Sequence, residues 1–116
     1  MKQKNKHIFV FGIFAVDLSF YVDKKVKPGE TIIAKSSNIG PGGKASNQAI
    51  SARKLGASTT LITRLGNDNF NSYAHDIWRR EKLFASTKID KSLPTGMAGI
   101  FIDDKTGENS VIVDPG

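Results

Sequence analysis

The chain has 116 residues, 39% of them hydrophobic and 24% charged, enough for one ordinary globular domain and no more. Its 17 basic and 11 acidic residues leave a net charge of +6, and it has no cysteine. That excludes a disulfide framework, a thiolate nucleophile and a cysteine metal site, and no apolar run approaches the ~18 residues expected of a membrane span.

The basic residues are scattered (Lys2, Lys24, Lys35, Lys44, Arg53, Arg79, Lys91) rather than gathered in a block. There is no helix-turn-helix signature, zinc finger or RNP-like aromatic motif. The better reading is a solvated basic surface that draws in an anionic substrate, with neither nucleic acid nor membrane as a partner. The opening stretch Met1 to His7 is basic but leads only into the short run Ile8 to Phe11 and then Gly12. That run is too short for a signal-peptide core, so a cytoplasmic protein is expected.

Ile8 to Phe11 is a continuous apolar run ended by Gly12, the pattern of a buried strand in an α/β sheet. Beyond Phe14 to Val16 the pattern becomes strict alternation, with Asp17, Ser19, Tyr21 and Asp23 on one face and Leu18, Phe20 and Val22 on the other. This is a half-buried strand. Lys27 to Glu30 is a turn and Thr31 to Lys35 a returning strand, so Asp17 to Ser36 reads as a β-ribbon.

Gly40 to Asn47 then brings the backbone into a bend with three glycines and a proline and opens a helix. Ala45, Ala49 and Ala52, with Ile50 and Leu55 alongside, form a packed helical face, and Gly56 is a natural residue to stop the helix. Lys44, in the first turn, sits against the dipole preference. A cation there, after glycines that let a ligand approach the backbone, suits a polar or anionic ligand at that end. A tight turn with a solvated lysine is the other reading.

Thr59 to Thr63 is the next strand, ending near Gly66, and Asn67 and Asp68 can cap a helix beginning near Phe70. Phe70, Ala74, Ile77 and Trp78 give that helix an apolar stripe, and Arg79, Arg80 and Lys82 suit its negative end. Thr87 to Asp90 is a short strand. Met97 to Ile102 and Ser110 to Asp114 flank Asp103 to Asn109 as a hairpin. Asp103 and Asp104 are most simply turn residues, and His7 and His75 have no partner at metal-ligand spacing.

Two familiar loop motifs fit the glycine stretch poorly. A P-loop anchored on Gly43-Lys44 needs glycine and a hydroxyl where Asn38 and Ala45 stand. The relaxed dinucleotide pattern is met by Gly40, Gly42 and Ala45, but the preceding strand is amphipathic and Arg64, not an acid, ends the next one.

A third pattern fits better. Gly42-Gly43-Lys44, then Asn47-Gln48-Ala49, with Pro28 to Thr31 upstream and Gly66-x-Asp68 downstream, resembles the ribokinase branch of the phosphofructokinase-B carbohydrate kinase family. Gly12 with Asp17 occupies the family's first-strand position, Leu55 to Ala57 its helix end, and Thr95-Gly96 the start of its later ribbon. The resemblance covers nearly the whole chain.

It implies an α/β, ribokinase-like fold: a partial doubly wound parallel sheet with an inserted β-ribbon lid. Residues 1–116 would be the N-terminal part of a single domain, with lid segments at about 17–36 and 97–114, and relatives whose lids pair make a homodimer the expectation. The implied activity is transfer of the ATP γ-phosphoryl group to a sugar hydroxyl. Residue by residue, Asp17 matches the aspartate that accepts hydrogen bonds from sugar hydroxyls, and Gly42 and Gly43 match the di-glycine lying against the sugar. Lys44 and Asn47 match the polar pair on the following helix, with Ala98, beside Thr95 and Gly96, at the lid edge. Without the family, Asp17 reads as a solvated strand residue and Asn47 as one bonded to nearby backbone.

The chain departs from the pattern in three ways. Ribokinases tend to have asparagine two residues before the sugar-binding aspartate, where Ala15 stands here, which removes one hydroxyl contact and puts ribose itself in question. A glycine expected three residues after Asp68 is Asn71. The family is also more than twice as long, and its catalytic aspartate lies in a C-terminal Gly-Ala-Gly-Asp motif, with the ATP, Mg²⁺ and monovalent-cation sites in the same half. No catalytic or metal residue is therefore expected here, and the 116 residues alone would be inactive. A stand-alone, non-catalytic sugar-binding or regulatory module is the alternative.

Overall fold

A computed structural model describes residues 6–116; the first five residues of the basic opening stretch, Lys2 among them, lie outside it. The chain forms β1 (His7–Phe11), β2 (Ala15–Val22), β3 (Ser36–Gly42), α1 (Lys44–Lys54), β4 (Ser58–Gly66), α2 (Asn69–Arg80), β5 (Phe84–Asp90), β6 (Gly96–Asp103) and β7 (Asn109–Asp114). These strands make two sheets. One is three-stranded and parallel, in the order β1-β4-β5, and the other is four-stranded and mixed, in the order β3-β2-β6-β7.

The core lies between the sheets and the two helices. Leu61 and Leu65 of β4, Ala45 and Ala49 of α1, and Ala74, Ile77 and Trp78 of α2 meet Phe14 and Val16 from the start of β2. Both helices thus pack on the Leu61–Leu65 side of the parallel sheet. The small alanines of α1 let it lie close; a Cβ built on Gly12 would stand 2.7 Å from the Ala45 Cβ. Trp78 meets Phe14 edge to face at 5.4 Å, and its indole N–H donates to the buried Ser46 hydroxyl at 3.3 Å.

The expected stripe on α2 is seen, and Asp68 caps that helix, its Oδ1 accepting from the Phe70 N–H at 3.1 Å. Gly56 follows α1 with φ of 89°, the left-handed conformation that glycine adopts without strain.

Several expectations need correcting. The returning strand is not Thr31 to Lys35 but Ser36–Gly42, so Gly40-Pro41-Gly42 is extended and pairs with Asp17-Val16-Ala15. The bend is confined to Gly43. The hairpin expected over 97–114 is present as β6 and β7, paired antiparallel, but it does not stand apart from the first ribbon: β6 also pairs in parallel with the whole of β2, which joins both ribbons in one sheet. β5 begins at Phe84 rather than Thr87. The run Ile8 to Phe11 is not buried: Phe9 is 68% and Phe11 84% exposed, since no described helix covers that face of the parallel sheet. Leu55 is 89% exposed and takes no part in the packed face of α1.

Candidate functional site

Where the two sheets meet, at the C-terminal end of β1 and the N-terminal end of α1, lies a cavity of about 500 Å³. Its polar side is made by Asp17 of β2 and by Lys44, Asn47 and Gln48 of α1, with the backbone of Gly12 and Gly43 between them. Its apolar side is made by Ala98 and Ile100 of β6, Val111 and Val113 of β7, and Phe11 and Ile13.

Strand periodicity explains the sheet's contribution. Ala15 and Asp17 share one face of β2; Asp17 pairs with Ala98, and Ala98 in turn with Val113. The alternate residues Val16 and Phe14 point the other way, into the core. Asp17 is half-buried, and among the described residues its carboxylate has no hydrogen-bond or ion-pair partner. Burial pushes its carboxyl above the ordinary value, as expected of a charge partly removed from water and left uncompensated.

The two glycines at the junction do different work. Gly43 is the N-cap of α1, with φ of 88° and no side-chain cap, so the first-turn N–H groups of the helix are left for whatever occupies the cavity. A Cβ on Gly43 would lie 2.9 Å from Phe14 Cα and 3.0 Å from Ala15 N, closer than real Cβ atoms approach. Gly42 is buried and does not line the cavity. A Cβ there would lie 2.5 Å from Asp17 Oδ2 and closer still to Oδ1 and Cγ, so its missing side chain is what makes room for the carboxylate.

Lys44 and Asn47 are exposed on the first turn, three residues apart on one helical face, and Lys44 has no carboxylate partner among the described residues. An acceptor, a cation, an amide and free N–H groups around one cavity are what a polyhydroxylated ligand needs.

Of the seven residues singled out in the sequence, Ala15, Asp17, Gly43, Lys44, Asn47 and Ala98 line the cavity, and Gly42 supports Asp17 from behind. Sequence reasoning missed Gln48 and the aliphatic wall of Ile100, Val111 and Val113. The signal was the i, i+2 spacing of Ala98 with Ile100 and of Val111 with Val113, which only gains meaning once β6 is known to lie beside β2.

The pattern of the pfkB family carbohydrate kinases matches residues 5–116. The chain belongs to that family. A ribokinase of Dictyostelium discoideum is 35% identical over 108 residues, which are 92% of this chain and 34% of that protein. A deoxyribokinase of Salmonella typhi is 34% identical over 109 residues, 91% of this chain and 35% of its own length.

Among solved structures, a ribokinase from Thermotoga maritima superposes with a TM-score of 0.83 at 37% identity, over 94% of this chain and 36% of that one. The Arabidopsis thaliana ribokinase complexed with ribose and ATP gives 0.77 at 28% identity, over 92% and 35%. The ribokinase-like α/β fold is therefore that of this chain. The chain spans about a third of the length of the relatives it matches.

The described residues hold no group of three or more His, Cys, Asp or Glu side chains that could bind a metal ion, and Asp17 is the one carboxylate lining the cavity. The donor set present thus fits a hydroxylated ligand and does not fit a divalent cation. Among the described residues no helix is long and apolar enough to cross a membrane.

Proposed function

We propose that this chain is the sugar-binding part of a ribokinase-type enzyme that transfers the γ-phosphoryl group of ATP to a sugar hydroxyl. The observation that carries the reading is the convergence of Asp17 of β2 with Gly43, Lys44 and Asn47 at the start of α1 on one cavity, from two separate segments of the sequence. In this reading Asp17 accepts from two sugar hydroxyls, because a carboxylate can accept several hydrogen bonds at once. Asn47 both donates and accepts, and Lys44 with the open helix start favours oxygen-rich, electronegative groups. The four-stranded sheet acts as a lid whose aliphatic strip lies over the sugar, and its outer strands offer a surface for pairing two subunits.

Residues 1–116 form the N-terminal part of a single domain in a cytoplasmic enzyme. ATP, Mg²⁺, a monovalent cation and the base that takes the hydroxyl proton are assigned to the remainder of that domain. The contribution of this chain is then positioning: it holds one hydroxyl where the phosphoryl group will arrive, which is much of what phosphoryl transfer asks of a protein. Ala15 leaves one corner of the cavity without a polar group. The favoured substrate is a sugar with one fewer hydroxyl to satisfy than ribose at that corner. Deoxyribokinase activity in a relative 34% identical to this chain supports that preference.

The test is an ATP-consumption screen of the full reading frame over pentoses, deoxypentoses and hexoses, repeated with Asp17→Ala. Turnover of a sugar that Asp17→Ala abolishes supports the reading. Turnover unchanged in that variant removes Asp17 from the site, and sugar binding without turnover favours a non-catalytic module.

A further inference from the structure

The cavity is assembled from two bodies. Asp17 and Ala98 belong to the four-stranded sheet, whereas Lys44 and Asn47 ride on α1, which packs on the parallel sheet. The backbone passes between the bodies at three places: Gly12 to Phe14, Gly42-Gly43, and the link from β5 to β6. The first two contain glycines of positive φ, at 155° for Gly12 and 88° for Gly43, and glycine joints fix little by themselves. Phe14 and Val16 packed near Trp78 hold the bodies together, but apolar burial carries little direction.

The third crossing is fastened. Thr95 is 1% exposed, donates its N–H to Asp68 Oδ2 at 2.7 Å, and accepts at Oγ1 from the Gly66 N–H at 2.9 Å. The other oxygen of Asp68 caps α2 through Phe70. Asn71 Nδ2 donates to the Gly66 carbonyl at 3.2 Å. Gly66 has no room for a side chain, since a Cβ there would stand 2.6 Å from both Asp68 Oδ2 and Pro94 C. One residue beyond Thr95, Gly96 pairs with Ala15, and two residues further Ala98 pairs with Asp17. Among the described residues one other side-chain hydrogen bond joins the bodies, Tyr73 Oη to the Ile39 carbonyl, and it is long at 3.4 Å.

From this we infer that Thr95 and Asp68, neither of which lines the cavity, are positioning residues for the sugar site: they lock the start of β6 to the end of β4 and so set the distance of Asp17 and Ala98 from the first turn of α1. The inference rests on the sugar-kinase reading. A bond to an ionised acceptor is shorter and stronger than a neutral one, which makes this clasp the best-defined tie between the walls. Small displacements of a substrate-holding group cost large factors in rate.

The test uses the full-length kinase with three variants. Thr95→Val keeps the volume and removes the acceptor, Thr95→Ser keeps the hydroxyl, and Asp68→Asn keeps a helix cap of equal quality while removing the charge. Thr95→Val and Asp68→Asn are expected to raise the sugar KM about tenfold with the ATP KM unchanged, and Thr95→Ser to stay within about twofold of wild type. In Asp68→Asn the Thr95 amide should also exchange with solvent at least about tenfold faster, while the amides from Tyr73 to Trp78 in α2 keep their protection.

Sugar KM unchanged in both Thr95→Val and Asp68→Asn overturns the inference. So does a loss in Thr95→Ser equal to that in Thr95→Val, or an ATP KM that rises in step with the sugar KM. A wild-type enzyme that phosphorylates no sugar fails at the underlying reading instead, and is recognised by the wild-type control.

Discussion

Adding one methyl group at Gly42 and at Gly43, adjacent in sequence, should damage two different properties. At Gly42 the new Cβ meets the Asp17 carboxylate, with Oδ2 at 2.5 Å and the other two atoms closer. That carboxylate is the end of a side chain that can rotate. Leaving its preferred rotamer costs about 0.5–1.5 kcal/mol, so the fold survives with a melting temperature lowered by a few degrees. The site does not survive as well. A carboxylate turned out of the cavity forfeits hydrogen bonds worth about 1.5–3 kcal/mol each, or roughly 10- to 150-fold in sugar KM for one bond.

At Gly43 the obstruction is backbone, with Phe14 Cα at 2.9 Å and Ala15 N at 3.0 Å, and φ is 88°. A non-glycine residue there costs about 1–3 kcal/mol for holding a positive φ in a sparsely populated region, and the collision adds about 1–3 kcal/mol more. Gly43→Ala should therefore lose stability first. The assay is sugar-dependent ADP release beside a thermal melt of each variant. A Gly42→Ala enzyme with wild-type sugar KM, or a Gly43→Ala protein that melts like wild type, refutes the reasoning.

Other consequences can be checked separately. Ala15→Asn projects an amide into the cavity and should shift preference toward ribose over 2-deoxyribose, read as the ratio of kcat/KM values. Because burial raises the Asp17 pKa, its ionised form weighs against the fold at neutral pH: the stability it contributes is complete below the unfolded value and disappears as pH rises through the folded one. Asp17→Asn should then melt no lower than wild type at pH 7, and wild-type sugar affinity should fall as the pH drops through the raised pKa. Asp90 behaves oppositely. The Ser92 hydroxyl and the Ser92 and Leu93 amides, with the Arg64 guanidinium, hold it down to about 2, so the stability it lends is present above the unfolded value and lost as the pH falls toward 2. Carboxyl chemical shifts across an acid titration report that midpoint directly. Trp78→Phe removes the buried bond to Ser46 and should cost about 1–3 kcal/mol in a denaturant melt.

The framework was readable where packing follows periodicity. The apolar stripe of α2, the capping Asp68, Gly56 after α1, and the alternation that separates Asp17 from Val16 all follow from local rules. Strand β3 was not readable, because Ser-Ser-Asn-Ile-Gly-Pro-Gly has little intrinsic tendency to extend. It is a strand because β2 needs a partner, and its place at the sheet edge tolerates Pro41.

The exposure of Phe9 and Phe11 defeated the apolar-run rule for a related reason. That rule assumes helices on both faces of a parallel sheet, and the described helices cover one. Apart from Gln48, the polar half of the site could be named from residue types in order. The aliphatic half could not, because Val111 and Val113 reach the cavity only through the pairing of β7 with β6 and of β6 with β2.

The most direct measurement of the central claim is a titration of isotope-labelled protein with ribose and 2-deoxyribose, followed at single amides. Saturable shifts at Asp17, Gly43, Lys44 and Asn47 that vanish in Asp17→Ala are the expected result. Shifts that persist in that variant, or sugar-induced changes that leave these four amides still, would contradict it.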